Sequence, residues 1–263
     1  MYISNEKNDY LKKIKLEKFM VLLFRVLILV IFLLVWELLS KFNIINTFLF
    51  SSPSLILKTL TGLISDGNFF NHLFITLFEI IISFIISSFI GFLVATVLWS
   101  NLFLSKVINP YLTVINSLPK VSLGPLIIIW IGSGKGSIIF MALLISTFVT
   151  IINIYNSFYN TNDNYLTLMK SFGSNKWQIF RLVIFPSNIL NIINALKINI
   201  SMILIGVIMG ELLVSKSGIG YLIMYGSQVF NIDLVITGVF ILGIISYVMY
   251  YFISKLESGI RYK

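Results

Sequence analysis

The stretch FITLFEIIISFIISSFIGFLVATVLWS, residues 74–100, decides the fold, because its 27 residues carry a single charge, on Glu79. A bilayer core is crossed by about 20 mostly apolar helical residues, so this stretch is long enough to span a membrane. Small residues recur within it at intervals of four: Ser83, Ser87, Gly91 and Ala95. Small residues at this spacing let helix backbones approach closely in lipid. The stretch therefore predicts a transmembrane helix packed tightly against another helix.

The composition of the whole chain also indicates a membrane protein. Apolar residues make up 58% of its 263 residues and charged residues 11%, whereas soluble domains carry about 25% charged residues. The absence of cysteine excludes disulfides, thiolate metal sites and cysteine nucleophiles. His72 is the only histidine, which excludes a multi-histidine metal site, and we interpret it as a solvated loop residue. The sequence predicts no cofactor.

Six apolar stretches predict an all-α membrane protein with six transmembrane helices. They cover residues 20–40, 74–100, 107–131, 137–157, 188–213 and 233–254. The third is interrupted by Pro119, Lys120 and Pro125. Their length, and the lack of strict alternation, argue against the short strands of a membrane barrel. The expected organisation is a basic segment over residues 1–19, a membrane domain over 20–254 and a tail over 255–263.

The distribution of Lys and Arg predicts the orientation of the chain. With the N-terminus in the cytoplasm, 13 of the 19 basic residues lie inside, four lie outside, and Lys120 and Lys197 fall within spans. Cytoplasmic loops carry the excess of Lys and Arg, so both termini are expected to be cytoplasmic. Residues 1–36 resemble a signal peptide in charge, but the apolar stretch is long and no small-x-small cleavage pattern follows it. We therefore expect a retained first span.

The fifth span carries two patterns on its surface. Gly206 and Gly210 form a G-x-x-x-G pair, which is typical of close helix packing. Polar residues also recur at spacings that keep them on one face: Ser187, Asn191, Asn194 and Ser201. This face is either a hydrogen-bonded seam between helices or the lining of a pore.

The segment NTNDNYLTLMKSFGSNKWQIFRLVIFPSN, residues 160–188, is long and patterned for a connector. Asn162, Asp163 or Asn164 is suited to cap a first short helix, and Gly173 is suited to end it. Ser174 is expected to cap a second helix, and Pro186 to push Phe185 out of helical geometry. Apolar side chains would project from the two helices: Leu168, Met169, Phe172, Trp177, Phe180 and Val183. Such a ledge favours docking of another protein; the alternative is an amphipathic helix lying in the lipid headgroups.

Polar residues within the spans are candidates for a solute pathway, because charges at mid-membrane are costly and usually face a cavity or a partner. Asn116, Ser117 and Lys120 adjoin the break in the third span. Lys197 and Glu211 lie about four helical turns apart on the fifth span, so they cannot pair with each other within one helix. The alternative for each charge is snorkelling or a structural pair.

Residues 160–188 resemble the signature loop of permease subunits of ATP-binding-cassette importers of the nitrate/sulfonate/taurine type. Gly173, Val183, Phe185 and Pro186 match its glycine, isoleucine, leucine and proline, whereas its Glu-Ala-Ala is replaced by residues 167–169, Thr-Leu-Met. Other stretches of the chain are similar to the same family: SSPSLIL (51–57), HLFITLFE (72–79, with Glu79 in place of the usual arginine), LPKVSLGPLIIIWIGSGKGS (118–137) and GELLVSKSGIGYLI (210–223).

The resemblance implies a multi-pass permease in the cell membrane that forms a pore with a second copy of itself. Separate ATPases would dock on the ledge, and an extracellular binding protein would deliver a small solute. The residues implied in ATPase coupling are Thr167, Leu168, Met169, Lys170, Phe172, Gly173 and Pro186. No nucleotide site is expected, because Gly134-Lys135 is followed by Gly136 rather than by the Ser or Thr of a P-loop. No nucleic-acid partner is expected, and the Ile-, Asn- and Lys-rich composition suggests a bacterial source.

Three other functions fit the sequence less well. A self-contained channel or ion-coupled carrier is the main alternative, but carriers usually show internal repeats with paired broken helices, and we find no convincing repeat. A membrane enzyme would need a constellation of catalytic side chains that the sequence does not offer. An energy-coupling-factor scaffold would carry Ala-Arg-Gly triplets, and none occurs.

Overall fold

In the computed structural model the chain is a bundle of helices, and residues 2–261 are described, with side chains for residue 10 and residues 13–259. No strand occurs within residues 2–261, as expected for an all-α protein. The helices in chain order are α1 (Tyr2–Lys41), α2 (Thr47–Phe50), α3 (Pro53–Ser65), α4 (Phe69–Ser100), α5 (Leu102–Ser117), α6 (Gly124–Ile131), α7 (Lys135–Tyr159), α8 (Asp163–Ser171), α9 (Lys176–Ile179), α10 (Phe185–Ser187), α11 (Ile189–Val214), α12 (Ile219–Gln228) and α13 (Ile232–Arg261).

Five helices are long and apolar enough to cross a membrane: α1 (from Lys13), α4, α7, α11 and α13 (to Gly259). The third predicted span is broken into α5 and a second part, Lys120–Ile131, bent by 80°. The break lies at Leu118, whose extended backbone (φ −65°, ψ 144°) precedes Pro119, as expected for a residue before proline. The prediction of six spans is confirmed when the bent pair is counted as one span.

The basic ends of the chain continue the neighbouring helices. Helix α1 begins at Tyr2 and α13 runs to Arg261, so most of the predicted segments 1–19 and 255–263 are helical. Lysine and glutamate are good helix formers, so the change from apolar to charged residues does not end a helix. Residues 1, 262 and 263 of the predicted terminal segments lie outside the described residues.

The core of the bundle is the contact of α7 with α11 and α4. A Cβ on Gly206 would overlap the backbone of Ala142, and one on Gly210 would lie 2.9 Å from the Cα of Ile138. Where α4 meets α7, a Cβ on Gly91 would lie 2.6 Å from Cγ2 of Thr150. The predicted close packing of both small-residue patterns is therefore confirmed.

Buried polar side chains join the same three helices. Asn199 on α11 accepts a hydrogen bond from the Ser87 hydroxyl at 3.0 Å and donates one to Ser88 at 2.9 Å. Ser146 on α7 donates to Ser87 at 2.9 Å. Hydrogen bonds between membrane helices contribute about 0.6 kcal/mol each on average. Their larger effect is on register, because a shift of one helix would leave these polar groups unpaired in an apolar interior.

Helix α1 stands at the edge of the bundle, with most of its described side chains exposed. Its contacts with the rest of the chain lie near its C-terminal end. Trp36 stacks on Phe240 of α13 with ring centroids 5.9 Å apart, and Glu37 accepts a hydrogen bond from the backbone N–H of Ser54 at 3.0 Å. The remaining apolar surface of α1 faces outward from the chain.

We expect Gly206→Ala to destabilise the protein by about 1–3 kcal/mol, the usual cost of overpacking, because the new methyl group must push α7 and α11 apart. Gly243→Ala in α13 is the matched control, since a Cβ there meets nothing within 4 Å. Thermal unfolding of both variants in detergent measures the difference. Equal unfolding temperatures for the two variants would contradict the close contact.

Candidate functional site

The connector between α7 and α11, residues 160–188, is an ordered helical segment that we call the coupling segment. Asn162 caps α8, because its side chain accepts a hydrogen bond from the N–H of Asn164 at 2.9 Å. Gly173 follows α8 with φ +71°, the left-handed conformation that ends helices. The first predicted helix and its glycine end are therefore confirmed.

The second short helix begins differently from the expectation. Its cap is Asn175, not Ser174: the Asn175 side chain accepts from the N–H of Gln178 at 2.9 Å, and the Gln178 side chain accepts from the N–H of Asn175 at 2.8 Å. The prediction of Ser174 was wrong because it overlooked this reciprocal capping box, which satisfies two free donors at once.

Pro186 also has a different effect from the predicted one. Phe185 is helical, with φ −62° and ψ −50°, so the proline does not force it into extended geometry. The preceding residues, Phe180–Ile184, form a π-helical turn. A widened turn of this kind is one way in which a helix accommodates a local disruption. The end of the coupling segment, Phe185–Ser187, is therefore helical and leads into α11.

The apolar side chains of the coupling segment divide into exposed and buried sets. Leu168 is 52% exposed, Phe172 73% and Trp177 65%. Met169 is half-buried against an interior apolar cluster, and Phe180 is 7% exposed. The expected ledge of projecting side chains is therefore smaller than predicted, because these two residues face the bundle. Its polar neighbours Thr167 and Lys170, together with Gly173 and Pro186, are exposed.

Buried contacts fix the coupling segment to the bundle. The Asn188 amide donates to the Thr161 hydroxyl at 2.7 Å and to the carbonyl of Ile184 at 2.9 Å, so it joins the two ends of the segment. Phe180 packs against Trp99 and Phe158, with ring centroids 5.4 and 5.6 Å apart. The segment is thus held as one piece against neighbouring ends of α4, α7 and α11.

The pathway candidates of the third span lie at its break. The Lys120 ammonium donates to the side-chain oxygen of Asn116 at 3.0 Å and lies 5.2 Å from the ring centre of Phe148. Lys120 is 8% exposed. Among the described side chains no carboxylate lies within ion-pair distance of it. Ser117 instead donates to the carbonyl of Val114, so the structure brings Asn116 and Lys120 together but leaves Ser117 in a local contact.

The two charged candidates of the fifth span are engaged within the chain. Lys197 forms an ion pair with Glu257 of α13 and lies over the ring of Tyr250. Glu211 is 1% exposed and accepts hydrogen bonds from the Thr76 hydroxyl at 2.6 Å and from the N–H of Gly220 at 2.5 Å. Both charges therefore join α11 to other parts of the bundle.

The polar stripe of the fifth span lies on the outside of the chain. Ser187, Asn191, Asn194 and Ser201 are all exposed. Asn191 donates to Asn188 and Ser201 to the carbonyl of Lys197, both within the same helical stretch. The stripe is therefore not a seam between described helices of this chain, and its polar groups are left for water or for another copy.

His72 was not recognised as a structural residue in the sequence. The structure places it in the first turn of α4, where its Nδ1 accepts a hydrogen bond from the N–H of Gly218 at 2.9 Å and its ring stacks on Tyr221. One turn later, the Thr76 hydroxyl accepts from the N–H of Ile219 at 2.8 Å. The prediction of a solvated loop histidine was wrong, because α4 begins before the apolar run. The sequence did contain an indication of this role: His72 and Thr76 are four residues apart, so they share one face of a helix that includes both.

The glycine-rich stretch GSGKGS forms a turn between α6 and α7, with positive φ at Gly132 (+90°) and Gly134 (+151°). In the part of the chain with described side chains, no three or more His, Cys, Asp or Glu residues are grouped so that they could hold a metal ion.

Comparison with known proteins finds similar sequences among membrane transport components. Residues 87–262 match the family described as "Binding-protein-dependent transport system inner membrane component". A probable ABC transporter permease protein of Haemophilus influenzae is 27% identical over 88% of this chain and 93% of its own length. The formylaminopyrimidine transport permease protein ThiX of Halalkalibacterium halodurans is 27% identical over 86% of this chain and 90% of its own.

Another transport permease and a solved structure are also similar to this chain. A putative aliphatic sulfonates transport permease protein, SsuC of Bacillus subtilis, is 23% identical over 85% of this chain and 81% of its own length. The fold matches an inward-facing structure of the MetNI methionine ABC transporter with a TM-score of 0.62 and 16% identity, over 73% of this chain and 97% of that one. The structural similarity supports the fold.

We expect Asn188→Ala to loosen the coupling segment, since it removes the hydrogen bonds to Thr161 and to the carbonyl of Ile184. A buried group left without a partner costs about 1–3 kcal/mol. Limited proteolysis of the purified protein should cut residues 160–188 faster in this variant. Asn194→Ala is the control, because Asn194 lies close by in α11 and is exposed. If both variants resist protease as the unmodified protein does, Asn188 does not hold the segment.

Proposed function

The chain belongs to the family of inner membrane components of binding-protein-dependent transport systems, as its sequence motifs indicated, and on that premise we propose that it forms the solute pathway of an importer driven by separate ATPase subunits. Its bundle of membrane helices makes it a multi-pass protein of the cytoplasmic membrane. ATP hydrolysis belongs to the partner subunits in this proposal. The observation that carries it is the coupling segment, an ordered ledge with large apolar side chains left exposed.

The ledge is suited to transmit force from an ATPase. Leu168 and Phe172 project from α8 and its end, and exposed apolar side chains grouped in this way are typical of a docking surface. The buried base of the same segment is tied by Asn188 and by the packing of Phe180. A movement imposed on the ledge would therefore be passed to α7 and α11 instead of being absorbed locally. Thr167, Lys170, Gly173 and Pro186 complete the exposed docking surface, and Met169 supports it from beneath.

A second copy of the chain would complete the pathway. The polar stripe on α11 is exposed along the single chain, and a polar face in the membrane needs water or a polar partner. Pairing of two copies across this face would enclose it as the lining of a pore. In this arrangement both termini and the coupling segment lie in the cytoplasm, as the distribution of Lys and Arg predicts, and the solute-binding protein docks on the opposite side.

Among the pathway candidates, Asn116 and Lys120 have the strongest case, with Ser117 one residue from Asn116. Lys197 is neutralised by Glu257, and Glu211 is buried in contacts with α4 and the start of α12. Lys120 has no described carboxylate partner and lies at the break of the bent span. A buried lysine of this kind favours an anionic solute. One of the relatives is named for the transport of aliphatic sulfonates, which carry a negative charge, so this class of solute fits Lys120 well.

We expect Leu168→Asp and Phe172→Asp to release the ATPase, because each places a charge in an apolar contact. Co-purification of the chain with its ATPase subunits from detergent measures the loss. Phe172→Leu is the matched control and should keep the ATPase. Met169→Asp should instead lower the unfolding temperature, since Met169 packs inward. Solute transport at the full rate in vesicles without ATPase would contradict the proposed function and favour a self-contained carrier.

We expect Lys120→Gln to reduce uptake of an alkanesulfonate by tenfold or more in vesicles that contain the assembled importer and its binding protein, whereas basal ATP hydrolysis stays unchanged. A tenfold effect corresponds to about 1.4 kcal/mol, within reach of one buried charge. Lys58→Gln is the control, because Lys58 is exposed on α3. Equal uptake by the two variants would remove Lys120 from the pathway.

A further inference from the structure

Two buried carboxyl groups meet at the end of the bundle opposite the coupling segment. Glu79 on α4 is 0% exposed and Glu211 on α11 is 1% exposed. Thr76, about one turn before Glu79 and on the same face of α4, donates a hydrogen bond to Glu211, so the two carboxyl groups lie close together. Glu79 has no role in the transport function proposed above, and the role of Glu79 does not depend on that function.

The two carboxyl groups differ in the donors that they receive. Both oxygens of Glu211 accept hydrogen bonds, one from the Thr76 hydroxyl and one from the N–H of Gly220. Neither oxygen of Glu79 has a hydrogen-bond partner of that kind, although both oxygens are buried. The nearest cation, Lys135, lies over the ring of Phe78 with its ammonium 5.5 Å from the ring centre. It forms no ion pair with Glu79.

Two adjacent carboxylates whose side chains are buried cannot both remain ionised without a proton or a cation between them. Hydrogen bonds from neutral donors favour the ionised form of the group that accepts them, so Glu211 is the ionised partner. A carboxyl group without donors gains a partner only when it is protonated, because it then carries an O–H donor.

We propose that Glu79 is a proton-binding site, protonated in the folded protein, and that its O–H donates to the carboxylate of Glu211. The pair then carries a single negative charge. Its hydrogen bond, with those from Thr76 and Gly220, holds α4, α11 and the start of α12 together. The site binds one proton reversibly, and no other reactant takes part.

A cavity of about 280 Å³ connects Glu79 to the surroundings of the bundle. Its polar lining is formed by Glu79, Ser133, Lys135, Ser215, Lys216 and Ser217. At about 30 Å³ per water molecule, the cavity has room for several waters. The proton of Glu79 can therefore exchange with the solution without unfolding of the bundle, and the site responds to the pH on that side of the membrane.

The other charged and titratable groups at this end come from each neighbouring element. Lys135 of α7 and Lys216 of the loop after α11 line the same cavity as Glu79, and the charge of Lys135 favours the ionised form of Glu79. His72 on α4 is occupied by the N–H of Gly218 and by the ring of Tyr221 of α12. When the pH rises and the proton leaves, two like charges face each other next to the loop that His72 and Thr76 hold. This end of the bundle should then loosen.

The test compares the unmodified protein with Glu79→Gln, whose amide keeps a donor towards Glu211 but cannot ionise. The folded protein holds a proton that a glutamate of the unfolded chain, with an ordinary pKa of about 4.3, has already lost by about pH 6. The stability of the folded protein therefore falls as the pH rises and Glu79 ionises. In detergent, the unfolding temperature of the unmodified protein should drop by about 2–4 °C or more between about pH 6 and about pH 9. Glu79→Gln should remove this part of the drop, and Glu17→Gln, at an exposed site on α1, should not.

A spectroscopic measurement keeps the test usable if Glu79→Gln does not fold. Infrared difference spectra of the unmodified protein should show the carbonyl band of a protonated carboxylic acid disappearing as the pH rises. In Lys135→Gln, which retains both carboxyl groups, the band should persist to higher pH. The proposal is overturned if no such band is present at about pH 6. It is also overturned if the stability at about pH 6 depends on added Na⁺, Mg²⁺ or Ca²⁺, because a cation and not a proton would then neutralise the pair.

Discussion

The contact between α7 and α11 is the interaction on which the other features depend. Gly206 and Gly210 allow the two backbones to touch at Ala142 and Ile138, and this contact sets the relative position of both ends of the bundle. At one end the coupling segment joins the C-terminus of α7 to α11. At the other end Glu211, close to the C-terminus of α11, reaches Thr76 and Gly220. A change in the angle between these two helices would therefore be felt at both ends.

Polar groups inside the bundle determine which arrangements of the core are permitted. Ser87, Ser146 and Asn199 join α4, α7 and α11 at mid-bundle. In lipid the apolar attraction between helices is weak, so close packing and hydrogen bonds carry the specificity. Helix α11 is also tied to α13 by the pair of Lys197 and Glu257. The polar contacts on the inner faces of α11 leave its exposed stripe as the polar face that this chain does not cover.

The sequence predicted the spans and their small-residue contacts well, because a long apolar run in lipid must satisfy its backbone hydrogen bonds as a helix and small residues four apart share one face of that helix. It also predicted the left-handed glycine at residue 173, since only the local backbone is involved. The wrong predictions depended on neighbouring structure. Ser174 and Asn175 are both good caps, and the distinction comes from Gln178 three residues after the true cap. The effect of Pro186 depended on the π-helical turn before it, which no residue pattern predicts.

Contacts between distant parts of the chain were beyond prediction from one sequence. The partners of His72 and Thr76 lie 135 or more positions away in the chain, and hydropathy carries no information about such pairs. The same limit applies to Lys120 and Lys197, which are alike in the sequence as single charges within spans. The structure separates them: Glu257 pairs with Lys197, whereas Lys120 meets an amide oxygen and an aromatic ring. A compensated charge stabilises the bundle, whereas an uncompensated one retains an electric field that can act on a solute. The position of Lys120 at an 80° bend adds a geometric argument, because irregular backbone at membrane depth is tolerated only where protein or water lines it.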